Sequence, residues 1–441
     1  MSELISTIAK WKPVRLLKAF LSNQRGQIAI TFAVATVPVV GSVGAAVDYS
    51  FANRTYAILN SYADMAALSA VSQSSLALSA TVAQTNAVNF FKAQANTLKR
   101  GTVNTATATV TDSGTNRASV FSYTASVPTA FLGIFGKNSI NINGKSTAAS
   151  GLPTYIDFYL LLDNTPSMGI GATPADVATM VNHTPDQCGF ACHTTQDPSN
   201  NYYAIAKQYG VTMRIDVVRQ AAQKLADTAS SMEVVANQFR MAIYDFGTDA
   251  SSTGLYKVHP LSASMSSAKS DAGSIDLMTI PYQNYNNDQQ TDFDGVLSAM
   301  NTEIPTPGNG STYQTPQKYL FFVTDGVADY NYPSTCSQPT TGGRCQEPLT
   351  VTNCTTMKNR GIKIAVLYTT YEPLPTNAWY MQWIAPFNQG PWGPSTNSQI
   401  ATNLQSCASP GLYFEVSPTQ GISDAMTALF QKAVAEAHLT Q

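Results

Sequence analysis

The chain has 441 residues, a formal net charge of −2 and only 12% charged residues. This length exceeds one ordinary compact core and predicts two to three domains. With no surplus of basic residues, the composition excludes the broad basic surface that nucleic-acid partners require.

The first predicted element is an apolar helix that crosses a membrane. Residues 28–47 are uncharged and mostly apolar, and at about 1.5 Å per residue they span roughly the 30 Å of a bilayer core. We assign 27–47 as the transmembrane helix. Residues 1–26 carry five basic side chains and one acidic one, so the positive-inside rule places them in the cytoplasm and the rest of the chain outside. A cleaved signal peptide ending near Gly44-Ala45-Ala46 is the alternative.

The helical pattern continues beyond this segment to about Ser72. Small and aromatic residues recur there at a spacing of three and four. They form a seam of Tyr49, Ala52, Tyr56, Leu59, Ala63, Ala66 and Ala70. The seam packs either against the following domain or against a partner transmembrane or pilin-like helix. Gly41 and Ala45 form a small-xxx-small pair that suits the second interpretation.

Residues 48–150 are predicted to complete a small α+β unit. A second helix is expected at about 82–97. The β runs 105–111 and 117–127 follow it, separated by a turn-rich stretch typical of a hairpin. Residues 140–142 suggest another strand, and Gly151-Leu152-Pro153 indicates a linker.

Three short motifs stand out in this N-terminal region. They are Arg25-Gly26-Gln27-Ile28-Ala29-Ile30, Ala46-Val47-Asp48-Tyr49 and Tyr62-Ala63-Asp64-Met65-Ala66-Ala67-Leu68-Ser69-Ala70. Their order and spacing resemble the N-terminus of TadE/TadG-like proteins of the tight-adherence (Flp) pilus system. The resemblance implies a pseudopilin or pilus-assembly protein of the bacterial inner membrane that faces the periplasm. Thr31 stands where a prepilin-peptidase substrate usually carries Glu, so we expect permanent anchoring rather than cleavage after Gly26.

From residue 155 onward, apolar strands alternate with amphipathic helices. We predict strands at 156–162, 239–246, 319–324 and 362–368, and helices at about 212–231, 291–302 and 421–438. This alternation predicts an α/β fold with a mostly parallel sheet and helices on both faces. Ligands of such sheets bind beyond the carboxyl ends of the strands, where Asp163 and Asp325 fall.

Three segments at these strand ends match a known signature. Asp163-Asn164-Thr165-Pro166-Ser167 matches D-x-[ST]-x-S, Thr324-Asp325-Gly326 matches a second acidic loop, and Thr291 opens a predicted helix. Residues 155–441 thus resemble a Rossmann-like von Willebrand factor A (VWA) domain, which implies a metal-ion-dependent adhesion site. Two carboxylates and three hydroxyls are hard donors that suit Mg²⁺, with Mn²⁺ or Ca²⁺ as substitutes, and leave a position for a carboxylate of a protein partner. The implied ligands are Asp163, Thr165, Ser167, Thr291 and Asp325.

Simpler roles remain open for several of these polar residues. Asp163 and Ser167 can cap the segment that follows them. Asp292 and Asp294 either join the metal site or cap a helix N-terminus, where negative charge is favourable. Asp245 is either a structural carboxylate or a functional one.

Insertions into a minimal VWA domain are expected at about 169–210, 330–355 and 371–400. The first is expected to be long, polar and irregular beside the metal, where such loops usually shape partner choice. The third contains an aromatic group that forms either a protein-binding surface or a self-packed loop. This group is Trp379, Trp383, Phe387 and Trp392.

The six cysteines all lie in the C-terminal two thirds of the chain, and their even number is compatible with disulfides in an oxidising compartment. The first two form a local disulfide, a zinc site with His183 and His193, or a haem attachment. The last pair would close a loop of some fifty residues and stabilise the fold by roughly 3 to 4 kcal/mol. Our preferred pairs, among fifteen arrangements, are Cys188–Cys192, Cys336–Cys345 and Cys354–Cys407.

The combined prediction is a non-enzymatic, single-pass periplasmic factor for pilus assembly or adhesion. Its metal-bearing domain would bind a carboxylate on a pilus or secretion-system protein. A Gly-rich phosphate loop, H-E-x-x-H and G-x-S-x-G are absent from the sequence, and its four histidines form no evident triad. A minor pseudopilin incorporated into the pilus and, less favoured, an envelope enzyme are the alternatives.

Overall fold

The computed structural model describes residues 27–113, 116–189, 193–330, 336–338, 343–371, 377–388, 398–416 and 421–439. The chain divides into two compact units, Met1–Ser150 and Gly151–Gln441. The division falls at the Gly151-Leu152-Pro153 segment that the sequence marks as a linker.

The N-terminal unit is built on one long helix, α1 (Gln27–Ala70), close to the predicted bounds. Its first part is long and apolar enough to cross a membrane. Apolar side chains point outward there on all sides; Ile28, Phe32 and Val37 are 79%, 73% and 59% exposed. A helix that is apolar all round is suited to a membrane rather than to water.

The second part of α1 packs within its own unit. Much of the predicted seam is buried: Ala52, Leu59, Ala63, Ala66 and Ala70. The seam residues from Leu59 to Ala70 lie in one core with Ala83, Ala87 and Phe91 of helix α3 (Ala80–Ala95). Because most of the side chains are small, the helices can approach closely. The intramolecular interpretation is confirmed for these positions, whereas Tyr49 and Tyr56 remain largely exposed.

A three-stranded sheet completes this unit, together with the short helix α2 (Gln73–Leu76). Strands β1 (Thr102–Ser113) and β2 (Asn116–Pro128) pair antiparallel as the predicted hairpin. Strand β3 (Ser139–Gly151) is longer than predicted because the half-buried residues after Ile142 are small and give no apolar run.

The C-terminal unit contains a mixed six-stranded sheet in the order β13-β12-β9-β4-β6-β7. The first four pairs in this order are parallel, and β6 pairs antiparallel with β7 at the edge. The strands are β4 (Ile156–Leu162), β6 (Phe239–Asp245), β7 (Tyr256–Ser262), β9 (Gln317–Thr324), β12 (Lys363–Thr369) and β13 (Tyr413–Val416). Two-residue strands β5 (His193–Thr194) and β8 (Thr279–Ile280) pair separately.

Helices cover both faces of this sheet. Phe158 and Leu160 of β4 belong to one apolar core, and Tyr159 and Leu161 belong to the other. The first core includes residues of α4 (Pro174–His183), α5 (Tyr202–Gln208), α6 (Arg214–Met232), α7 (Met265–Ala272) and α12 (Ile422–Leu439). The second includes residues of α8 (Phe293–Glu303), α9 (Thr352–Asn359), α10 (Ala378–Trp383) and α11 (Gln399–Cys407).

Two parts of the C-terminal unit differ from the prediction. The stretch 169–210, expected to be irregular, contains α4 and α5. Helix α4 begins because Pro174 occupies its first turn and the Thr173 hydroxyl accepts the Asp176 N–H at 3.1 Å. Edge strand β7 was not predicted, since His259, Pro260 and the polar residues around it break any apolar pattern.

Two of the three predicted disulfides are confirmed. Cys336 bonds to Cys345, and Cys354 bonds to Cys407. The first bond adjoins a second predicted insertion, where β10 (Val327–Tyr330) and β11 (Cys345–Pro348) pair antiparallel.

The Cys188–Cys192 disulfide stays a prediction, because Cys192 lies outside the described residues. The two histidines proposed for a zinc site each contact a tyrosine ring. His183 lies 3.7 Å from Tyr209 and His193 lies 4.3 Å from Tyr203, measured between ring centroids.

Candidate metal centre

Asp163 is placed by the end of β4. Every residue of that strand is buried, and the parallel register with β9 brings Asp163 beside Thr324. The Asp163 N–H donates to the Val323 carbonyl at 3.0 Å, and the Thr324 hydroxyl donates to Asp163 Oδ2 at 2.7 Å. The carboxylate is therefore completely buried and held from the neighbouring strand.

Thr165 and Ser167 turn back toward this carboxylate. The Thr165 N–H and hydroxyl both donate to Asp163 Oδ1, at 3.0 and 2.7 Å. Ser167 Oγ lies 3.4 Å from Thr165 Oγ1, because Pro166 opens a 3-10 turn there. Asp163 thus has the local turn role left open by the sequence, and the same turn gathers both hydroxyls.

Asn164 fixes this loop and was not singled out from the sequence. Its amide oxygen accepts the Phe246 N–H at 3.1 Å, and its amide donates to the Gly247 carbonyl at 2.8 Å. Its side chain is buried. These bonds join the loop after β4 to the end of β6, so the predicted ligands start from a rigid frame.

Asp325 follows β9 and is also completely buried. The Val327 N–H donates to its Oδ1 at 3.4 Å, and the Ser167 hydroxyl lies near enough to lower its pKa. Gly326, next to it, has a φ of +81°, and a Cβ there would lie 2.6 Å from Ile400 and Leu404. The second loop therefore requires glycine at this position.

Arg214 is the charged neighbour that sequence reasoning missed. It opens α6, is 1% exposed, and places Nη1 3.8 Å from Asp325 Oδ2. Its Nη2 donates to the Thr370 carbonyl at 2.5 Å, and its Nε has no hydrogen-bond partner within the described part of the chain. The only sequence signal was a basic residue at the start of an otherwise apolar helix face.

Burial dominates the electrostatics of the acidic pair. Burial raises the pKa of Asp163, although hydrogen bonds from Thr324 and Thr165 oppose the rise. Burial and the nearby Asp163 raise the pKa of Asp325 to about 7, against the opposing effects of Arg214 and Ser167. Two neighbouring carboxylates that are both buried repel each other when ionised, and a cation bound between them would relieve this repulsion.

Thr291 lies just before α8 and is bonded to the segment that follows Asp325. Its N–H donates to the Asp329 carbonyl at 2.9 Å, and its own carbonyl accepts the Asp329 N–H at 3.0 Å. A cavity of about 600 Å³ is lined by both Ser167 and Thr291. The structure therefore links Asp163 to Thr165 and Thr324 through hydrogen bonds and places Ser167 3.4 Å from Thr165. Ser167 and Thr291 both line the cavity.

Arg344 and Trp379 also line this cavity. Arg344 is ion-paired with Asp329, and its guanidinium lies 4.5 Å from the Trp379 ring centroid. Arg344 directly precedes Cys345, so the disulfide with Cys336 anchors this rim. Of the predicted aromatic group, Trp379 borders the cavity and Phe387 is buried. Trp392 lies outside the described residues.

The donor set fits a divalent cation by its own chemistry. Asp325 Oδ2 is buried and accepts no hydrogen bond from the residues that the structure describes, although such an atom normally carries a partner because its desolvation is costly. Arg214 supplies one positive charge against two carboxylates. A cation bound by these oxygens would satisfy the orphaned atom and offset the remaining negative charge.

Asp292, Asp294 and Asp245, whose roles the sequence left open, each accept a hydrogen bond from a neighbouring part of the fold. Asp292 Oδ1 accepts the Gly295 N–H at 2.9 Å and caps α8, and Asp294 accepts the Thr350 hydroxyl at 2.5 Å. Asp245 accepts the Gly247 N–H at 3.1 Å.

Replacing Asp245 by Asn is expected to stabilise the protein at pH 7.5. Burial raises the pKa of Asp245 to about 6. Its folded-state pKa therefore exceeds the unfolded value, and its stabilising contribution is lost as pH rises through about 6. The gain should be about 2 to 3 kcal/mol at pH 7.5 and close to zero near pH 4, measured by urea unfolding. An equal effect at both pH values would contradict this electrostatic origin.

No protein-family model matches the chain, and no curated protein matches its sequence. Among solved structures, the vWF domain of the type V pili tip protein Mfa5 from Porphyromonas gingivalis is 9% identical, with a TM-score of 0.34, covering 66% of this chain and 97% of that one. The PilB minor pilin from Streptococcus sanguinis is 10% identical, with a TM-score of 0.31, covering 76% and 79%. The resemblance to TadE/TadG-like proteins stays a prediction.

Proposed function

We propose that this chain is a single-pass protein of the bacterial inner membrane whose Rossmann-like, VWA-type periplasmic domain binds a protein partner in pilus assembly or adhesion. Asp163, Thr165, Ser167, Thr291 and Asp325 would hold Mg²⁺, or Mn²⁺ or Ca²⁺ in its place. The bound cation would supply a Lewis-acidic position for a carboxylate of the partner. The protein acts by binding and is not an enzyme.

The hydrogen-bonded link between two buried acidic loops carries this proposal. The Thr324 hydroxyl donates to Asp163 Oδ2 at 2.7 Å, which supports one site shared by residues far apart in sequence. Ser167 lies 3.4 Å from Thr165 and near enough to Asp325 to lower its pKa. With Arg214 included, the acids and a divalent cation leave a formal charge of +1. A positive, partly desolvated site attracts an anionic group and discriminates against a neutral one.

The membrane assignment is supported by α1 and by the preceding sequence. The exposed apolar segment needs lipid around it. Basic residues occur before this segment, and Asp48 follows it at once. This asymmetry supports a cytoplasmic N-terminus and a periplasmic C-terminal domain.

Partner binding should depend on both the cation and Thr291. Membranes carrying the full-length protein would be crosslinked with a cleavable reagent, and captured proteins would be quantified with Mg²⁺ or with EDTA. We expect capture to fall at least tenfold in EDTA and in Thr291→Ala, which removes one hydroxyl ligand without changing charge.

Thr302→Ala is the matched control for that variant. Thr302 is exposed near the other end of α8, and its hydroxyl bonds only within the helix, to the Ser298 carbonyl at 3.2 Å. Capture should be unchanged in this control. Equal capture in EDTA, or an equal loss in both threonine variants, would contradict metal-mediated binding.

Replacing Arg214 by Gln should strengthen cation binding. The guanidinium lies 3.8 Å from Asp325 Oδ2 and repels an incoming cation. Removing it should tighten binding of Mn²⁺ by about tenfold, as measured by calorimetry. The metal-free variant should be less stable, because the acidic pair then has no positive partner. Weaker Mn²⁺ binding in a folded variant would show that Arg214 supports the site in another way.

A further inference from the structure

The connection between β2 and β3 exposes apolar side chains to an unusual degree. We call residues 129–138 the apolar loop; it contains a 3-10 turn, Leu132–Phe135. Ile134 is 78% exposed, Phe135 58% and Phe131 39%. Isolated exposed apolar residues are ordinary, whereas three on one short turn mark a contact surface.

The apolar loop is seated on the membrane-spanning part of α1. A Cβ on Gly44 would lie 2.4 Å from Phe131 Cβ, and one on Gly41 would lie 2.8 Å from the Phe135 ring. These glycines therefore admit the loop to the helix surface. Gly41 precedes Asp48 by seven residues, which places Phe135 about 10 Å along the helix axis toward the apolar segment.

Asp48 holds the loop in this position. Its Oδ1 accepts the Ala130 N–H at 2.8 Å, and its Oδ2 accepts the N–H groups of Phe131 and Leu132 at 2.9 and 2.8 Å. The loop is closed at its base by a bond from the Thr129 N–H to the Asn138 carbonyl at 3.1 Å. Its position is therefore fixed by the fold.

An apolar groove of about 270 Å³ separates the loop from the helix. Val37, Val40 and Ile134 lie on its walls, and Thr36 is the one polar residue in its lining. The Thr36 hydroxyl is already bonded to the Phe32 carbonyl at 2.7 Å. Such a groove is unfavourable in water but suits a hydrocarbon chain.

We propose that the apolar loop is a second membrane contact, which inserts Phe131, Ile134 and Phe135 among the acyl chains of the outer-facing leaflet beside α1. The inference rests on the proposed membrane anchoring. The occupant is lipid, because the groove and the loop continue the exposed apolar surface of the spanning segment. Exposed Lys137 lies within the loop, just after its 3-10 turn, and is placed to meet lipid headgroups. The loop would thereby restrict tilt and rotation of α1.

Fluorescence quenching by lipid tests this placement. The full-length protein would be reconstituted in vesicles of phosphatidylethanolamine and phosphatidylglycerol, with or without acyl chains brominated near the headgroup. Phe135→Trp and Ile134→Trp report on the loop, Phe32→Trp reports on the spanning segment, and Thr111→Trp is an exposed control at the far end of β1. The emission of the four native tryptophans is subtracted using the parent protein.

We expect brominated lipid to quench the added emission of both loop variants and of Phe32→Trp at least twofold, with no change for Thr111→Trp. Quenching of Phe32→Trp without quenching of the loop variants would overturn the loop proposal and leave the anchor intact. The same result would be obtained if another protein, rather than lipid, covered the loop. Absence of quenching at all positions would overturn the anchoring as well.

Asp48 is expected to act as a positioning residue for this contact. Asp48→Ala in the Phe135→Trp background removes three hydrogen-bond acceptor contacts and should reduce the quenching at least twofold. Asp48→Asn keeps one acceptor oxygen and should restore part of the quenching. Identical quenching in all three proteins would show that the loop position does not depend on Asp48.

Discussion

Asp325→Asn is expected to abolish the stabilisation that Mg²⁺ gives to the C-terminal unit, while the metal-free variant becomes more stable than the wild type. A cation that binds only the folded state at one hundred times its Kd stabilises by about 2.7 kcal/mol. For a unit of this size, that corresponds to an increase in Tm of about 5 to 10 °C. The variant retains the shape of the side chain but lacks the charge that binds the cation.

The metal-free effect has a defined pH dependence. Burial and Asp163 raise the pKa of Asp325 to about 7, so its stabilising contribution is lost as pH rises through 7. Asn cannot ionise, and the variant should therefore exceed the wild type by about 4 kcal/mol at pH 8 in EDTA, with a smaller difference at pH 6. A carboxylate retained here for cation binding thus lowers the free energy of unfolding of the metal-free protein.

Calorimetric unfolding with Mg²⁺ and with EDTA would measure both effects. Asp227→Asn is a suitable control, because Asp227 is exposed and its ion pair with Lys269 lies on the surface. This control should keep the full Mg²⁺ response. A Mg²⁺ response in Asp325→Asn equal to that of the wild type would contradict the assignment.

Loss of the Cys354–Cys407 disulfide should destabilise the C-terminal unit by about 4 kcal/mol. The bond joins α9 to α11 across 53 residues of sequence. In the chain-entropy model, the free energy of unfolding that is lost with a disulfide increases with this separation. Both sulfurs are buried in the second core. The double variant Cys354→Ala/Cys407→Ala would be compared with the parent by urea unfolding under non-reducing conditions.

The other disulfide provides the matched comparison. Cys336 and Cys345 are separated by 9 residues, so their replacement should cost about 2.5 kcal/mol on the same model. Cys336 is also only partly buried. Equal losses in the two double variants would show that loop length does not determine the stabilisation.

The sequence predicted the parts of the site that depend on local pattern. Apolar runs located β4 and β9, and an acid at the end of each run located the two acidic loops. The parallel register then brought Asp163 beside Thr324. The hydroxyls of Thr165 and Ser167 could also be assigned, since two residues within one turn of an acid must lie near it.

Residues that reach the site from distant elements could not be predicted. Arg214 approaches Asp325 only because α6 packs along the sheet, and no local pattern gives that distance. Arg344 reaches the cavity through a disulfide-linked hairpin. The apolar loop could not be predicted for a similar reason. Phe131 and Phe135 contact Gly44 and Gly41, which are distant in sequence, and no local pattern shows that contact.

Anomalous diffraction from crystals soaked in Mn²⁺ would test the metal centre most directly. The predicted result is one anomalous peak per chain. Hydroxyl oxygens among the surrounding ligands should lie about 2 Å from it, and the two acids should bind the ion directly or through water. The surrounding residues would be Asp163, Thr165, Ser167, Thr291 and Asp325. The peak should be absent in Asp325→Asn crystals. A wild-type map with no peak there, or with Ser167 and Thr291 too far apart to share one ion, would contradict the metal centre.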